Sequence, residues 1–334
     1  MPGKPYQSKL APHEEEVFSL LDEGRSYRAI AEALNGRYDL KITHNAVFSY
    51  VKSRRPGRGA GRLFYEGFSP DIRNQLLKRI AAEWTHDSTA IEGNTLTLGE
   101  TVKVLELGLT ISGKPLKDHQ EVYGHARAID LIYDLISKPT VETTDLFELH
   151  RAVMQQVAMD ALNPVGDWKR DYNGTTGVIA GKSVYMEYPS PSLVPPLMAR
   201  WLEDFNNMAP CVDRPDRAIS AYVRAHMIFV RVHPFFDGNG RLARLIANLP
   251  VLQGGFPPVV VPAERRVEYI CLLWDYQNAA GTMTRGSQLL PPHPAIRQME
   301  TLLQGEWIKT VSIVEEAKKI EAKRTKRGAA SNEG

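Results

Sequence analysis

His233-Pro234-Phe235-Phe236-Asp237-Gly238-Asn239-Gly240-Arg241-Leu242-Ala243-Arg244 is the stretch that decides how this 334-residue chain is read. A helical pattern runs into it through Ala218, Ala221, Tyr222, Ala225 and Phe229. Another runs out of it through Leu242, Leu245, Ile246 and Leu249. Pro234 ends the first helix near His233. Gly238 and Gly240 let the backbone bend and come close to a ligand. A Gly-rich turn opening a helix is an anion site, because the first N–H groups have no intrahelical partner and the helix dipole favours negative charge there. Arg241 and Arg244 are three apart and share a face. Two guanidiniums beside such a nest suit a polyphosphate better than a single carboxylate. Asp237 would repel phosphate by itself, so its presence implies a bridging Mg²⁺. His233 can take a proton near neutral pH. The Lys-Ser/Thr of a P-loop is absent. A plain helix–loop–helix with solvated arginines explains the glycines but leaves the His, Asn and Arg spacing as coincidence.

These residues resemble the motif of the Fic (Fic/DOC) family, His-x-Phe-x-Asp/Glu-Gly-Asn-Gly-Arg-x-x-Arg, at every specified position. Ser88-Thr89-Ala90-Ile91-Glu92-Gly93-Asn94 resembles the second signature of that family, Ser/Thr-x-x-x-Glu-Gly/Asn, the inhibitory segment. The resemblance covers roughly residues 65–285. It implies an all-α fold: a Fic-type helical core with a small β-hairpin flap, preceded here by a helix-turn-helix-like unit. It also implies a protein adenylyltransferase with an N-terminal inhibitory helix, which moves AMP from ATP to a Ser, Thr or Tyr hydroxyl of a target protein, itself included.

By the same resemblance His233 is the catalytic residue and Asp237 holds Mg²⁺ (or Mn²⁺). Gly238, Asn239 and Gly240 position the phosphates, Arg241 and Arg244 clamp the β and γ groups, and Phe235 anchors the loop in the core. Ser88, Glu92 and Gly93 are the inhibitory set, with Glu92 pairing with Arg244 and denying it to the γ-phosphate. Glu92-Gly93 also reads as a helix end, and both readings can be true. Tyr269 and Asn278 are the nearest matches to an adenine-contacting pair. Their spacing is one residue longer than the family pattern, and the following Gly-Asp is absent. A transferase using another donor and the reverse reaction, removal of AMP, therefore stand beside ATP-dependent transfer. A homodimer follows from resemblance alone.

The formal net charge is +2, with 41 basic and 39 acidic residues, which argues against a chain coated in nucleic acid throughout. Cys211 and Cys271 are the only cysteines and show no metal or disulfide spacing, as expected in a reducing cytoplasm. Met1 to Leu10 has no apolar signal core, and no stretch is long and apolar enough to span a membrane.

Four segments are expected: an N-terminal unit over 1–55, a linker over 56–68, the core over 69–285, and C-terminal helices with a basic tail over 286–334. Residues 1–12 read as disordered. Val17, Leu20 and Leu21 begin a first helix. Ser26 caps a second with Ile30, Ala31 and Leu34, ended by Asn35-Gly36, and Thr43 caps a third with Ala46, Val47, Tyr50 and Val51. Basic residues and no acids occupy Lys41 to Arg62, including Lys52, Arg54, Arg55 and Arg58. DNA contact through residues 13–62, with His44, Asn45, Ser49 and Lys52 as candidates, and a trihelical protein-binding unit are both open.

Ser69 and Pro70 start the helix that leads to Glu92. Thr97 and Glu100 form a capping box for a helix through Leu107. His119, His125 and His150 lie on the next two helices without metal spacing and read as exposed or core-edge residues. Two β-rich runs around Ala180-Gly181-Lys182 predict a hairpin resembling the flap, which would pair with an extended target segment or merely cover a groove. Glu264 to Ala280 is expected helical, with Val267, Ile270 and Leu273 in the core. Pro291–Gln304 and Trp307–Ile320 read as two helices, and the tail beyond Lys323 as disordered.

Overall fold

The computed structural model describes residues 8–22, 25, 27–44, 46–47, 50–51, 63–155, 164–179, 181–208 and 212–332. Its helices are α1 (Glu14–Asp22), α2 (Tyr27–Tyr38), α3 (Pro70–Ile91), α4 (Leu98–Leu107), α5 (Leu116–Leu135) and α6 (Thr143–Val153). After a hairpin of β1 (Gly174–Ile179) and β2 (Lys182–Glu187) follow α7 (Val194–Asn206), α8 (Pro215–Val232), α9 (Asn239–Ile246), α10 (Asn248–Gln253), α11 (Arg266–Ala280) and α12 (Pro294–Asn332). The hairpin is antiparallel, with Gly174 opposite Glu187 and Ile179 opposite Lys182. The fold is thus helical with one small hairpin, as expected. Among the described residues no helix is long and apolar enough to cross a membrane.

One apolar cluster builds the N-terminal unit from Leu10, Val17, Leu20, Tyr27, Ile30, Leu34, Val47, Tyr50 and Val51. Thr43 caps the third helical piece, its hydroxyl accepting from Ala46 N–H. Residues 8–12, expected disordered, are ordered because Leu10 is buried in this cluster. Asn35-Gly36 does not end the second helix, which runs on to Tyr38. The Asn35 amide instead holds both backbone groups of Ile42, and Tyr38 stacks on His13. Ser26, Asn45, Ser49 and the basic run from Lys52 to Arg62, on which the DNA reading rested, lie outside the described residues; His44 is exposed.

A second cluster, from Phe64 to Ala317, is the core around the motif. α8 runs through it with Ala218, Tyr222, Ala225 and Phe229 buried as the spacing predicts, and α9 and α10 bury Leu242, Leu245, Ile246 and Leu249. α8 packs on α7, α9, α10 and α12, and α5 packs on α3, α4 and α6. The Thr97–Glu100 capping box is present, and Gly108 closes α4 in the left-handed conformation.

Three expectations about the C-terminal part need correction. Val267 and Ile270 are exposed, at 71% and 42%, because α11 turns Tyr269 and Tyr276 inward instead. Pro291–Gln304 and Trp307–Ile320 are one helix, since Leu302, Leu303 and Trp307 are buried on both sides of Gly305 and outweigh its modest helix cost. The tail beyond Lys323 continues that helix to Asn332, and Arg324 pairs with Asp71 of α3. Ser69 stands at the N-cap of α3, but its hydroxyl and N–H both reach Glu321 of α12.

Gly124 on α5 sets the approach of α5 to α6. A Cβ there would lie 2.4 Å from the Ala152 carbonyl oxygen. Gly124→Ala gains about 1 kcal/mol in helix propensity but forces backbone overpacking worth about 1–3 kcal/mol. Net destabilisation is the expected outcome of denaturant titration; a stabilised variant would refute the close-approach account.

Candidate active site

α8 stops at His233, the helix C-cap, which adopts a left-handed φ of 51° and still donates its N–H to Phe229. Non-glycine residues hold that conformation only where surrounding contacts impose it. Here Arg231, two residues earlier, is buried and donates to four carbonyls, those of Ala280, Gly281, Gln288 and Leu289. The His233 ring stacks on Tyr188 at 3.7 Å and 4°. Its Nδ1 lies 3.2 Å from the Val230 carbonyl, which can only accept, so Nδ1 carries the proton and Nε2 the lone pair. Burial first, and the Lys169 ammonium second, push the imidazole down to about 3, so it stays neutral and able to act as a base at any physiological pH.

The loop beyond is held from beneath. Phe235 is fully buried, as expected, and stacks on His150 at 3.8 Å. Asn239 points both ends of its amide at Phe235, accepting its N–H at 2.9 Å and donating to its carbonyl at 2.8 Å. Its side chain is therefore held inside the loop by both ends. Gly238 has φ 76°, and a Cβ would meet Met154 Sδ at 2.7 Å. The N-terminus of α9 starts at this turn, with its first N–H groups outside the intrahelical ladder. Asp237 is exposed at the loop mouth, with Oδ1 accepting from Gly238 N–H.

Arg244, expected as a phosphate clamp that Glu92 occupies, is almost fully buried and its donors are taken. Its Nη2 donates to Glu92 Oε1 at 2.6 Å and to the Ser88 carbonyl at 2.8 Å, and its Nε to Ser88 Oγ at 3.1 Å. Nη1 lies 3.5 Å from the Tyr269 hydroxyl, which in turn reaches His226 Nε2 at 2.7 Å. Burial works to raise the Glu92 carboxyl, but the Arg244 charge and hydrogen bond, with Arg241 and Arg266, outweigh it and hold it below the usual range. The same pairing pushes Arg244 up. Glu92 is the C-cap of α3, and Gly93 follows at φ 99°. The helix end and the carboxylate–guanidinium contact coexist, and Arg266 donates to the Ile91 carbonyl beside them. Gly240 leaves the room: a Cβ there would lie 2.5 Å from Glu92 Oε1. Arg241 is buried, 3.6 Å from Glu121 and 3.9 Å from Asp237.

His233, Asp237, Gly238, Asn239, Gly240, Arg241, Arg244, Ser88, Glu92 and Gly93 thus converge. Tyr269 and Asn278 do not form one contact surface. Nine residues apart, they stand about two and a half turns apart on opposite sides of α11. Tyr269 is buried under Arg244, and Asn278 is exposed.

The histidines expected as exposed or core-edge residues are instead buried supports, because each ring nitrogen that is held finds its partner inside the core. His119 accepts from Ile111 N–H, His125 lies against Thr85, and His150 accepts from Gly166 N–H through Nδ1. That fixes the proton of His150 on Nε2, which donates to the Asp237 carbonyl at 3.1 Å. Burial pushes His150 down to about 4. No metal spacing marked it, and its signal was only that it lies on an apolar helix face.

Among the described residues no group of three or more His, Cys, Asp or Glu could hold a metal ion. A single exposed carboxylate beside an anion nest nonetheless fits Mg²⁺ delivered with phosphate. Magnesium commonly takes one or two protein carboxylates and fills its shell with phosphate oxygens and water.

A Gly-rich loop between two buried helices, with a neutral imidazole at its entrance and a buried arginine behind it, forms the centre of the helical core. Residues 140–251 match the model of the Fic/DOC family, and the chain carries a Fic/DOC domain. It is 39% identical over 220 residues to protein adenylyltransferase fic-1 of Caenorhabditis briggsae, covering 61% of this chain and 40% of that protein. It is 38% identical over 195 residues to the protein of the same name from Caenorhabditis elegans, covering 57% and 35%. The chain thus matches well under half the length of these curated relatives. Among solved structures, a Fic domain containing signaling protein from Bacteroides thetaiotaomicron shares the fold, with TM-score 0.66 and 24% identity over 81% of this chain and 95% of that one. Fic-1 from C. elegans superposes with TM-score 0.57 and 25% identity over 93% and 87%.

His150→Phe keeps the ring over Phe235 but leaves Gly166 N–H and the Asp237 carbonyl unpaired. Each such buried group costs about 1–3 kcal/mol. Chemical denaturation is expected to show a loss in that range; a neutral result would mean that the two hydrogen bonds do not support the loop.

Proposed function

We propose that this chain is a protein adenylyltransferase that carries its own inhibitor in Glu92. The observation carrying the reading is the Glu92–Arg244 contact at 2.6 Å. The second motif arginine is the group placed to clamp the γ-phosphate, and the carboxylate occupies it. Relatives named protein adenylyltransferase support the choice of ATP and of a protein substrate.

In the reaction, ATP lies on the loop with its phosphates toward the start of α9. Asp237 would hold Mg²⁺, which would supply charge neutralisation at the phosphate oxygens. His233 Nε2 accepts the proton of a Ser, Thr or Tyr hydroxyl of the target. The hydroxyl oxygen bonds to the α-phosphorus in line, the bond to the α–β bridging oxygen breaks, and pyrophosphate leaves. His150, Asn239 and Asn173 keep the loop backbone aimed before the substrate arrives, so little reorganisation falls on the reacting state. The flap hairpin, whose Tyr185 is exposed, suits an extended target segment pairing along its edge.

With Glu92 in place, Arg244 cannot take the γ-phosphate, and ATP is left in a pose that misaligns the α-phosphate. Glu92→Gly removes the carboxylate. Gly240→Ala displaces it while keeping the loop amides, since the added Cβ meets only the end of the Glu92 side chain and Arg244 Nη1 at 3.2 Å.

The test is transfer of label from ATP labelled at the α-phosphate, with Mg²⁺, onto the chain or an added target. Glu92→Gly is expected to raise transfer about tenfold or more, the equivalent of about 1.4 kcal/mol. Gly240→Ala should raise it less, and Glu92→Gly/His233→Ala should show none. Equal labelling with and without His233 would refute the mechanism, and equal labelling of wild type and Glu92→Gly would refute the inhibition.

A further inference from the structure

Lys169 is a buried lysine in the segment leading to the flap. Lysine is almost never fully buried unless paired. Among the described residues no carboxylate lies within salt-bridge distance of it. Its Nζ donates to Asn173 Oδ1 at 2.6 Å and lies 5.8 Å from the centre of the Tyr188 ring, the ring that stacks on His233. The Asn173 Nδ2 donates to the carbonyls of Phe235 at 3.0 Å and Phe236 at 3.1 Å. The Lys169 N–H donates to the Pro234 carbonyl at 3.0 Å. Three successive carbonyls of the motif loop are therefore held from one side by Lys169 and Asn173.

This arrangement has a direction. An ammonium can only donate, so it turns the oxygen of the Asn173 amide toward itself and thereby turns the NH₂ toward the loop carbonyls. A trans peptide points its C=O and the following N–H in opposite directions. Carbonyls held toward Asn173 thus aim the N–H groups of Phe236 and Asp237 away from it. A charged donor also makes the stronger hydrogen bond, and more so out of water.

We propose that Lys169 is a positioning residue of this site: its buried charge sets the orientation of Asn173, which shapes the phosphate loop. The proposal rests on the reading of His233 as the base for AMP transfer. The charged and titratable groups around it are Glu187 of β2, the Tyr188 phenol and His233. Burial pushes Lys169 down to about 8, with Glu187 pulling the other way. The charge is therefore fully present below about pH 8 and lost as pH rises through it.

The experiment uses the full chain carrying Glu92→Gly, with and without Lys169→Arg or Lys169→Met. Label transfer is measured as kcat/KM against pH, and the backbone amide of Phe236 and the side-chain amide of Asn173 are followed by NMR over the same pH range. In the Glu92→Gly parent, activity is expected to fall and both amide signals to move with a midpoint near pH 8. Lys169→Arg, whose guanidinium stays charged, should retain activity at pH 7, lose the midpoint near 8 and hold its amide signals steady. Lys169→Met should lose tenfold or more at pH 7 and show no step near pH 8. A step near pH 8 that persists in Lys169→Arg, or amide signals that do not move in the parent, would overturn the proposal. If the parent transfers no label, the adenylyltransferase reading fails while the amide titration still decides the role of Lys169. If Lys169→Met does not fold, the Lys169→Arg comparison decides it alone.

Discussion

A guanidinium taken out of water needs acceptors for its donors, and Arg244 meets that requirement from one helix. Ser88 supplies a hydroxyl and a carbonyl, and Glu92 a carboxylate one turn later. The end of α3 is thereby fixed against the start of α9, and the Tyr269–His226 pair closes the cavity on the other side. Two of the three acceptor atoms on α3 are neutral and permanent. The third is the end of a side chain that is partly exposed, with room made for it by the missing Cβ of Gly240. Arg244 thus has two fixed neutral partners and one anionic partner at the end of a side chain. A site with a buried cation and a single anionic partner is suited both to binding phosphate and to being blocked by a carboxylate.

The loop that would carry the nucleotide has little structure of its own. It is a turn whose shape is imposed by side chains below it: His150 on the Asp237 carbonyl, Asn239 on both groups of Phe235, and Asn173 on the Phe235 and Phe236 carbonyls. Each of these is an amide or a neutral imidazole, and each is buried or partly buried. Burial makes their hydrogen bonds stronger and any unpaired group costlier, so the loop has one low-energy shape rather than several. The same burial keeps His233 neutral, which a base requires. Packing and chemistry are linked here through desolvation.

Much of the fold was legible because apolar periodicity and capping are local. The Thr97–Glu100 box, the hairpin around Gly181 and the buried face of α8 follow from a few consecutive residues. The convergence of Ser88 and Glu92 on Arg244 was available only through resemblance to a known motif, since 152 residues separate the ion pair. The rotation of α11 was misread because Val267 and Ile270 look like core residues, whereas the polar tip of Tyr269 finds its partners inside. The helix at the C-terminus was misread for a related reason. Gly305 is a break only where nothing else holds the helix together, and Trp307 donates to the Pro257 carbonyl from the turn after it.

The sequence by itself determined the helical class, the hairpin, the Gly-rich turn and the residue types gathered around it. Those depend on the spacing of neighbours along the chain. Tertiary structure alone decided which of the site's groups are free and which are spent. Asn239 is turned inward, Arg244 is occupied, and Tyr269 stands behind Arg244 rather than at the mouth of the site. It also decided that His150 and Lys169 hold carbonyls of the motif loop. Burial is a property of what packs against a residue, and it sets both the hydrogen-bond partners and the proton affinity of each group. Neither can be read from a residue's neighbours in sequence.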